Sequence, residues 1–407
     1  MNNSNKKEMN TLFVKKNSTR NKILILSFLV ALGLTMSMYS SLVSVQAWSG
    51  GTHGKIATEA IKSLPSPWQE FFSGYNAFFD AHANDPDSYR SDLEDSSFNR
   101  LFSIEWDSHF DDHNLKVYGG TPYDEQDPAN AHLIDGEYTS EDLEFVAINV
   151  SWDSPQFHKG VIEWRVLNET RDLTQLMVDV GEDLSNNTLW KLIFIKMNYL
   201  SHFAADSTMP FHASANYDGQ LTGKSGAHAL FESTLVEQNT LDRIIFSNRP
   251  AVYVDSVLNH SVFSIETSLA NMSITLETEN TYDPAVLGGA WIDTVWAAIG
   301  DIWGDRVNLG ATSTADLWYT CLVDSDLINQ VNATFLSSLS VDLSSPPPGW
   351  TTKDSGSLWY PSFPQVPVVS TTTTTTTTEA GDTPGFELVS SLLLLAGLAV
   401  FITRRRK

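Results

Sequence analysis

Apolar positions recur at helical spacing through most of the middle of the chain. Residues 189–206 (LWKLIFIKMNYLSHFAAD) set helix-favouring residues on a dense apolar face, and Pro210 stops the run. Segments 53–64, 226–239, 262–275, 289–303 and 313–337 have the same character, with clusters of Ser, Thr, Asn, Asp and Gly between them. Strand-like alternation is scarce, and no internal repeat of about 20 to 50 residues is visible. The pattern predicts a single all-α, multi-helix domain over residues 48–345.

Both ends of the chain depart from this pattern. Residues 1–47 join a basic stretch (Lys15, Lys16, Arg20, Lys22) to an apolar run from Ile23 and close on Val45-Gln46-Ala47. That is the layout of a secretory signal peptide cut after Ala47, with an uncleaved anchor helix as the alternative. Residues 346–385 are rich in Pro, Ser and Thr, include Thr371 to Thr378 in unbroken succession, and read as a stalk without a core of its own. In 386–407, the uncharged stretch Leu388 to Thr403 precedes Arg404-Arg405-Arg406-Lys407. As a helix that stretch spans about 24 Å against a hydrocarbon core of ~30 Å, which makes it a marginal membrane anchor. The Thr-rich spacer, Pro384-Gly385-Phe386, apolar stretch and basic end resemble archaeal C-terminal sorting signals, in which the tail is exchanged for a lipid. Either reading places the middle of the chain outside the cell, secreted and tethered to the membrane surface. The sequons at Asn149, Asn168, Asn186, Asn259, Asn271 and Asn332 are compatible with that location.

Charge narrows the partners. The chain of 407 residues has a net charge of -24, and without the basic ends the part from 48 to 403 keeps 15 basic and 48 acidic residues. A surface that negative repels polyanions, so tight nucleic-acid binding is not expected. Cys321 is the lone cysteine, so no intrachain disulfide forms and cohesion rests on packing or on metal.

All ten histidines follow Trp48: His53, His82, His109, His113, His132, His158, His202, His212, His228 and His260. His202 and Asp206 are four apart on the most strongly helical stretch, and His228 and Glu232 repeat the spacing. Each pair therefore projects from one helix face as two potential ligands. One such pair is ordinarily a solvated helix pair. Two of them flanking His212, just past the Pro210 break, point to metal. Histidine nitrogen with carboxylate oxygen is the donor set of catalytic zinc, whereas structural zinc usually takes cysteine. His82, three before Asp85, and His113, four after His109, suit supporting or surface positions, and His132, His158 and His260 carry no spacing signal. Trp106 and Phe110 flank His109, where either a substrate wall or ordinary core packing would use a ring. No Gly-x-Ser-x-Gly elbow, Walker loop or Cys/His pair offers a competing nucleophile.

Taken in order, Trp48-(x4)-His53, Asp85, Ser108-His109-Phe110, Leu200-Ser201-His202-Phe203-(x2)-Asp206-(x3)-Pro210-Phe211-His212 and His228-(x3)-Glu232 resemble the zinc-dependent phospholipase C family and its relative, the fungal single-strand-specific nuclease family. The resemblance implies a mostly helical fold around three zinc ions. Asp85, His109, His202 and Asp206 would hold one; His212, His228 and Glu232 a second; the amino nitrogen and carbonyl oxygen of Trp48, with His53 and Asp206, a third. Asp206 would bridge two of them. A backbone amine binds metal only as a free terminus, so the third position also implies cleavage after Ala47. The implied reaction is phosphodiester hydrolysis by zinc-activated water, with Asp85 orienting or deprotonating that water. Three carboxylates offset about half the charge of three zinc ions, which leaves the site positive enough to attract a phosphodiester.

The leading expectation is a phospholipase C that releases a phosphorylated head group from phospholipid. Glu232, where the nuclease branch usually has Asp, favours it, as do the absent disulfides and the acidic surface. A single-strand nuclease or nucleotidase with the same metal chemistry is the alternative. A zinc-binding module without turnover is disfavoured by the completeness of the ligand set.

Overall fold

The structure, a computed structural model, describes Trp48 and residues 50–87, 162–353 and 358–361. The expected signal peptide, the C-terminal apolar segment, most of the expected stalk, and His109, His113, His132, His158, Trp106 and Phe110 lie outside the described residues.

The described part is mostly helical, as the apolar periodicity predicts. Its helices are α1 Gly50–Ile61, α2 Trp68–Ser73, α3 Asn76–His82, α4 Ile162–Glu182, α5 Asn187–Asp206, α6 Ala227–Ala229, α7 Val257–Leu269, α8 Met272–Thr281, α9 Pro284–Leu287, α10 Trp291–Asp324, α11 Leu327–Gln330 and α12 Ala333–Ser338. A 3-10 turn, Pro210–Ala213, follows α5, and a π-helical stretch, Leu230–Thr240, continues α6.

The axis of the fold is α5. Asn186 caps it, its side chain accepting from the backbone N–H of Leu189, which satisfies one donor of the first turn. Every residue from Met197 to Asp206 is buried, because α5 is surrounded by α4, α10 and α1 rather than facing solvent on one side. One apolar core gathers Phe71, Phe72, Phe78, Phe79, Phe194 and Trp318, and a second gathers Trp48, Phe211, Phe231, Trp291 and Trp303. Cys321 is buried in the first core, and burial pushes its thiol up to about 12, so it acts as a small packing group.

Three features differ from the sequence expectation. Segments 289–303 and 313–337 do not form two helices: α10 runs unbroken through Gly304 and Gly310. Gly310 is where α10 closes on α5, since a Cβ there would lie 3.1 Å from Ile56 Cδ1, 3.2 Å from Thr208 Oγ1 and 3.5 Å from Ala205 Cα. What reads as a break in the sequence is a close helix contact. Segment 262–275 divides into α7 and α8 at Asn271, whose side chain donates to the Thr267 carbonyl, one of the last-turn acceptors of α7. Helix α4 stands outside the expected segments, because Arg165, Glu169, Arg171 and Asp172 dilute its buried stripe of Val166, Leu173, Met177 and Val180.

The folded part also continues past residue 345, the boundary expected from the Pro/Ser/Thr content. Strands β1 Trp350–Lys353 and β2 Leu358–Pro361 form an antiparallel pair with Thr352 opposite Trp359. The Trp359 side chain is 3% exposed. Two tryptophans give this polar segment enough apolar area to dock.

One stretch, Pro284–Asp324, is long and apolar enough to cross a membrane by length and composition alone. Within the fold its second half, from Gly310 to Trp318, is buried throughout.

Candidate metal centre

Asp206, the last residue of α5, is fully buried with three imidazoles around it. His53 Nε2 stands 3.3 Å from its Oδ1, His202 Nε2 3.3 Å from its Oδ2, and His212 Nδ1 3.9 Å from the same Oδ2. Local rules set part of this geometry. The i,i+4 spacing puts His202 and Asp206 on one face of α5. Pro210, at the start of the 3-10 turn, ends helical continuation and folds His212 back toward Asp206. His53 comes from α1, which approaches α3 closely: a Cβ on Gly54 would lie 2.8 Å from the Asp80 carbonyl oxygen. The rings of His53 and His202 stack with centroids 4.0 Å apart.

A second set of donors lies on the far side of His212. Its Nε2 faces His228 Nε2 at 3.2 Å, and His228 Nε2 is 2.8 Å from Glu232 Oε2. Asp218 holds the start of the helix that carries this pair, accepting from the backbone N–H of Gly226 at 2.8 Å and of His228 at 3.3 Å. Phe211 stacks on the His228 ring at 5.5 Å and fixes its plane. Two imidazole nitrogens facing each other, with a carboxylate oxygen alongside, form a hydrogen-bonded set whose nitrogen and oxygen atoms are also of the kind a cation takes.

From the segment after α3 it is Asp87 that comes within ion-pair distance of His202, in addition to Asp206, while the expected Asp85 lies close enough for His202 to act on its charge. Asp87 Oδ1 is 3.8 Å from His202 Nε2, and His53, Asp87 and His202 can present three ligand atoms within 4.8 Å of one another, so this buried trio can hold a metal ion. Asp85 Oδ2 instead accepts from the backbone N–H of Trp359 at 3.0 Å and lies 2.8 Å from His82 Nδ1. Both aspartates sit just past α3 in residues 85–87, which are helical, so positions two apart point to different sides and the packing decides which of them meets His202. His82 is likewise more than a surface residue: its ring lies 4.3 Å from that of Phe78 and 4.9 Å from that of Trp359. His260 bonds Ser313 on α10 at 2.7 Å and is not among these donors.

Trp48 is brought to the same place. Its indole N–H donates to the Ala205 carbonyl at 3.0 Å, one residue from Asp206, and its ring meets Trp303 edge to face at 5.5 Å. Of the nine expected ligand residues, His53, His202 and His212 surround Asp206, His228 and Glu232 adjoin His212, the Trp48 indole reaches Ala205, Asp85 stands beside the cluster, and His109 is outside the described residues.

The electrostatics suit metal. Burial, followed by the neighbouring His202 and His212, holds the His53 imidazole well below the usual histidine range, so it is neutral and keeps a lone pair for a ligand. His202 Nδ1 lies 2.9 Å from the Ala83 carbonyl, which only accepts, so Nδ1 carries the proton and Nε2 is left facing the carboxylates. Neither ring nitrogen of His53 makes a hydrogen bond, although the residue is fully buried. Such a group costs free energy unless it finds a partner, and a cation would supply one. In comparison with known proteins, no family model matches the chain, nor does any curated protein or solved structure, and the site stands on its own geometry.

Proposed function

We propose that the chain is a secreted, surface-tethered, zinc-dependent phosphodiester hydrolase, a phospholipase C that releases a phosphorylated head group from phospholipid. The observation that carries this reading is a continuous set of buried donors: His53, His202 and His212 face Asp206, Asp87 lies beside His202, and His228 and Glu232 adjoin His212. Such a set is costly without a cation and matches the nitrogen–oxygen preference of catalytic zinc. The ordered motif shared with the zinc-dependent phospholipase C family points the same way and supplies the three-zinc count, with Asp87 in the ligand role expected of Asp85.

Zinc held by these residues would lower the pKa of a bound water toward neutrality and offset negative charge on a phosphodiester. The protein's own groups do the rest. His53, His202, His212 and His228 would supply the nitrogen ligands, and Asp206, with an oxygen toward His53 and another toward His202 and His212, would join the two donor sets. Asp87, Asp206 and Glu232 would offset part of the charge of bound zinc, so that an anionic product is not held too tightly. Fully buried walls of Phe203, Phe211 and Trp303 exclude water and strengthen each charge interaction inside.

The purified secreted form is expected to begin at Trp48, to contain close to three zinc ions per chain, and to release phosphocholine or another phosphorylated head group from lipid vesicles. N-terminal sequencing, metal analysis and head-group release check this together. Preferential cleavage of single-stranded DNA would instead assign the nuclease branch, and a metal-free chain with no hydrolysis would remove the reading.

A separate prediction concerns the terminus. A mature chain with one extra residue ahead of Trp48 is expected to lose one zinc of the three while its Trp48 indole still reaches Ala205. Full zinc content and unchanged turnover in that variant would remove the terminal amine from the ligand set.

A further inference from the structure

The C-terminal hairpin is joined to the metal centre by a short chain of contacts. The backbone N–H of Trp359 donates to Asp85 Oδ2, and its carbonyl lies 3.4 Å from the hydroxyl of Tyr199, three residues before His202 on α5. The Trp359 ring packs at 5.2 Å on Phe78 and at 4.9 Å on His82, while Trp350 on the other strand meets Tyr199 edge to face at 5.8 Å. The segment leading to the hairpin is also fastened down, since the N–H of Val341 donates to the Tyr75 hydroxyl at 2.9 Å and Lys191 donates to the Ser345 carbonyl at 3.0 Å.

These contacts bear on five residues, Ala83 to Asp87, that connect α3 to the centre. Ala83 is held through its carbonyl by His202 Nδ1, and Asp85 is held through its side chain by Trp359 and His82. Asp87 follows directly, with Oδ1 3.8 Å from His202 Nε2. A carboxylate two residues beyond a pinned residue has little freedom, which is how a metal site gains affinity from groups that never touch the ion. We propose that the hairpin is a clasp that positions Asp87 for metal through Trp359 and Asp85, which makes Asp85 a positioning residue and not a ligand. The proposal rests on the reading of His53, Asp87 and His202 as a metal site.

The test uses the full secreted chain, titrated with zinc against a chromophoric chelator and with cobalt(II) followed by its visible absorption, with circular dichroism reporting the fold. Asp85→Ala and Trp359→Ala are each expected to weaken zinc binding roughly 10- to 100-fold and to alter the cobalt spectrum while the helical signal persists. Asp85→Asn retains an oxygen for the Trp359 N–H, and Trp359→Phe retains the ring wall and the N–H, so both are expected to recover most of the affinity. If Asp85 were a ligand, Asp85→Asn would lose as much zinc as Asp85→Ala, and Trp359→Ala would leave affinity and spectrum unchanged. That pattern overturns the clasp and leaves the metal centre standing. A wild-type chain that takes up neither zinc nor cobalt overturns the metal reading itself.

Discussion

Asp206→Asn is expected to abolish phosphodiester hydrolysis and to reduce the zinc content by two ions at once. The carboxylate is fully buried and sends its two oxygens to different imidazoles, Oδ1 toward His53 and Oδ2 toward His202 and His212. Asparagine preserves volume and shape, so packing at the end of α5 is retained, but an amide lacks the charge and presents an N–H₂ to one neighbour in place of an acceptor. Loss of two positions that stabilise developing charge removes several kcal/mol from the transition state, at least about a thousandfold in kcat/KM. Metal analysis and head-group release on the purified variant are the measurements. Loss of a single ion would show that Asp206 serves one position only, and an unchanged ion count would remove it from the site.

Phe194→Ala is expected to give the largest loss of stability. The side chain is fully buried, and its ring centroid lies within 4.8 Å of Tyr75, 5.4 Å of both Phe72 and Phe79, 5.9 Å of Phe78 and 6.0 Å of Phe71. Truncation removes the transfer free energy of the ring and leaves a cavity between α2, α3 and α5 that rigid aromatic neighbours fill poorly. The cost is about 3–5 kcal/mol, read as a lower midpoint in denaturant with an unchanged slope. Phe194 lies two turns before His202 on the same helix, so the zinc-loaded variant should keep its metal content while unfolding earlier. A loss under about 1 kcal/mol would show that this aromatic cluster can collapse around the gap.

Parts of the centre were legible without coordinates, and the reason is local. His202 with Asp206, and His228 with Glu232, obey helical spacing, which forces each pair onto one face wherever the helix lies. Pro210 after a strong helical run marks a turn, so His212 was readable as well. Asp87 was not, because Asp85 and Asp87 share a polar stretch without periodicity, and nothing within it says which one turns toward His202. The hairpin was hidden for a related reason. Two tryptophans in a Pro/Ser/Thr-rich segment amount to little by composition, and their weight appears only when Trp359 is seen against Phe78, His82 and Asp85.

Periodicity and composition by themselves determined the helical class, the pairing of a histidine with a carboxylate on one helix face, and a candidate donor chemistry of nitrogen and oxygen without sulfur. Tertiary structure alone decided that α10 runs through Gly310, that Trp48 and His53 reach the end of α5, and that Asp87 rather than Asp85 completes the trio with His53 and His202. The division has a physical cause. Side-chain direction within a helix follows from backbone geometry, whereas the meeting of residues 34 to 157 positions apart depends on how closely whole helices approach, and that is set by small residues such as Gly54 and Gly310 and by the aromatic cores behind them.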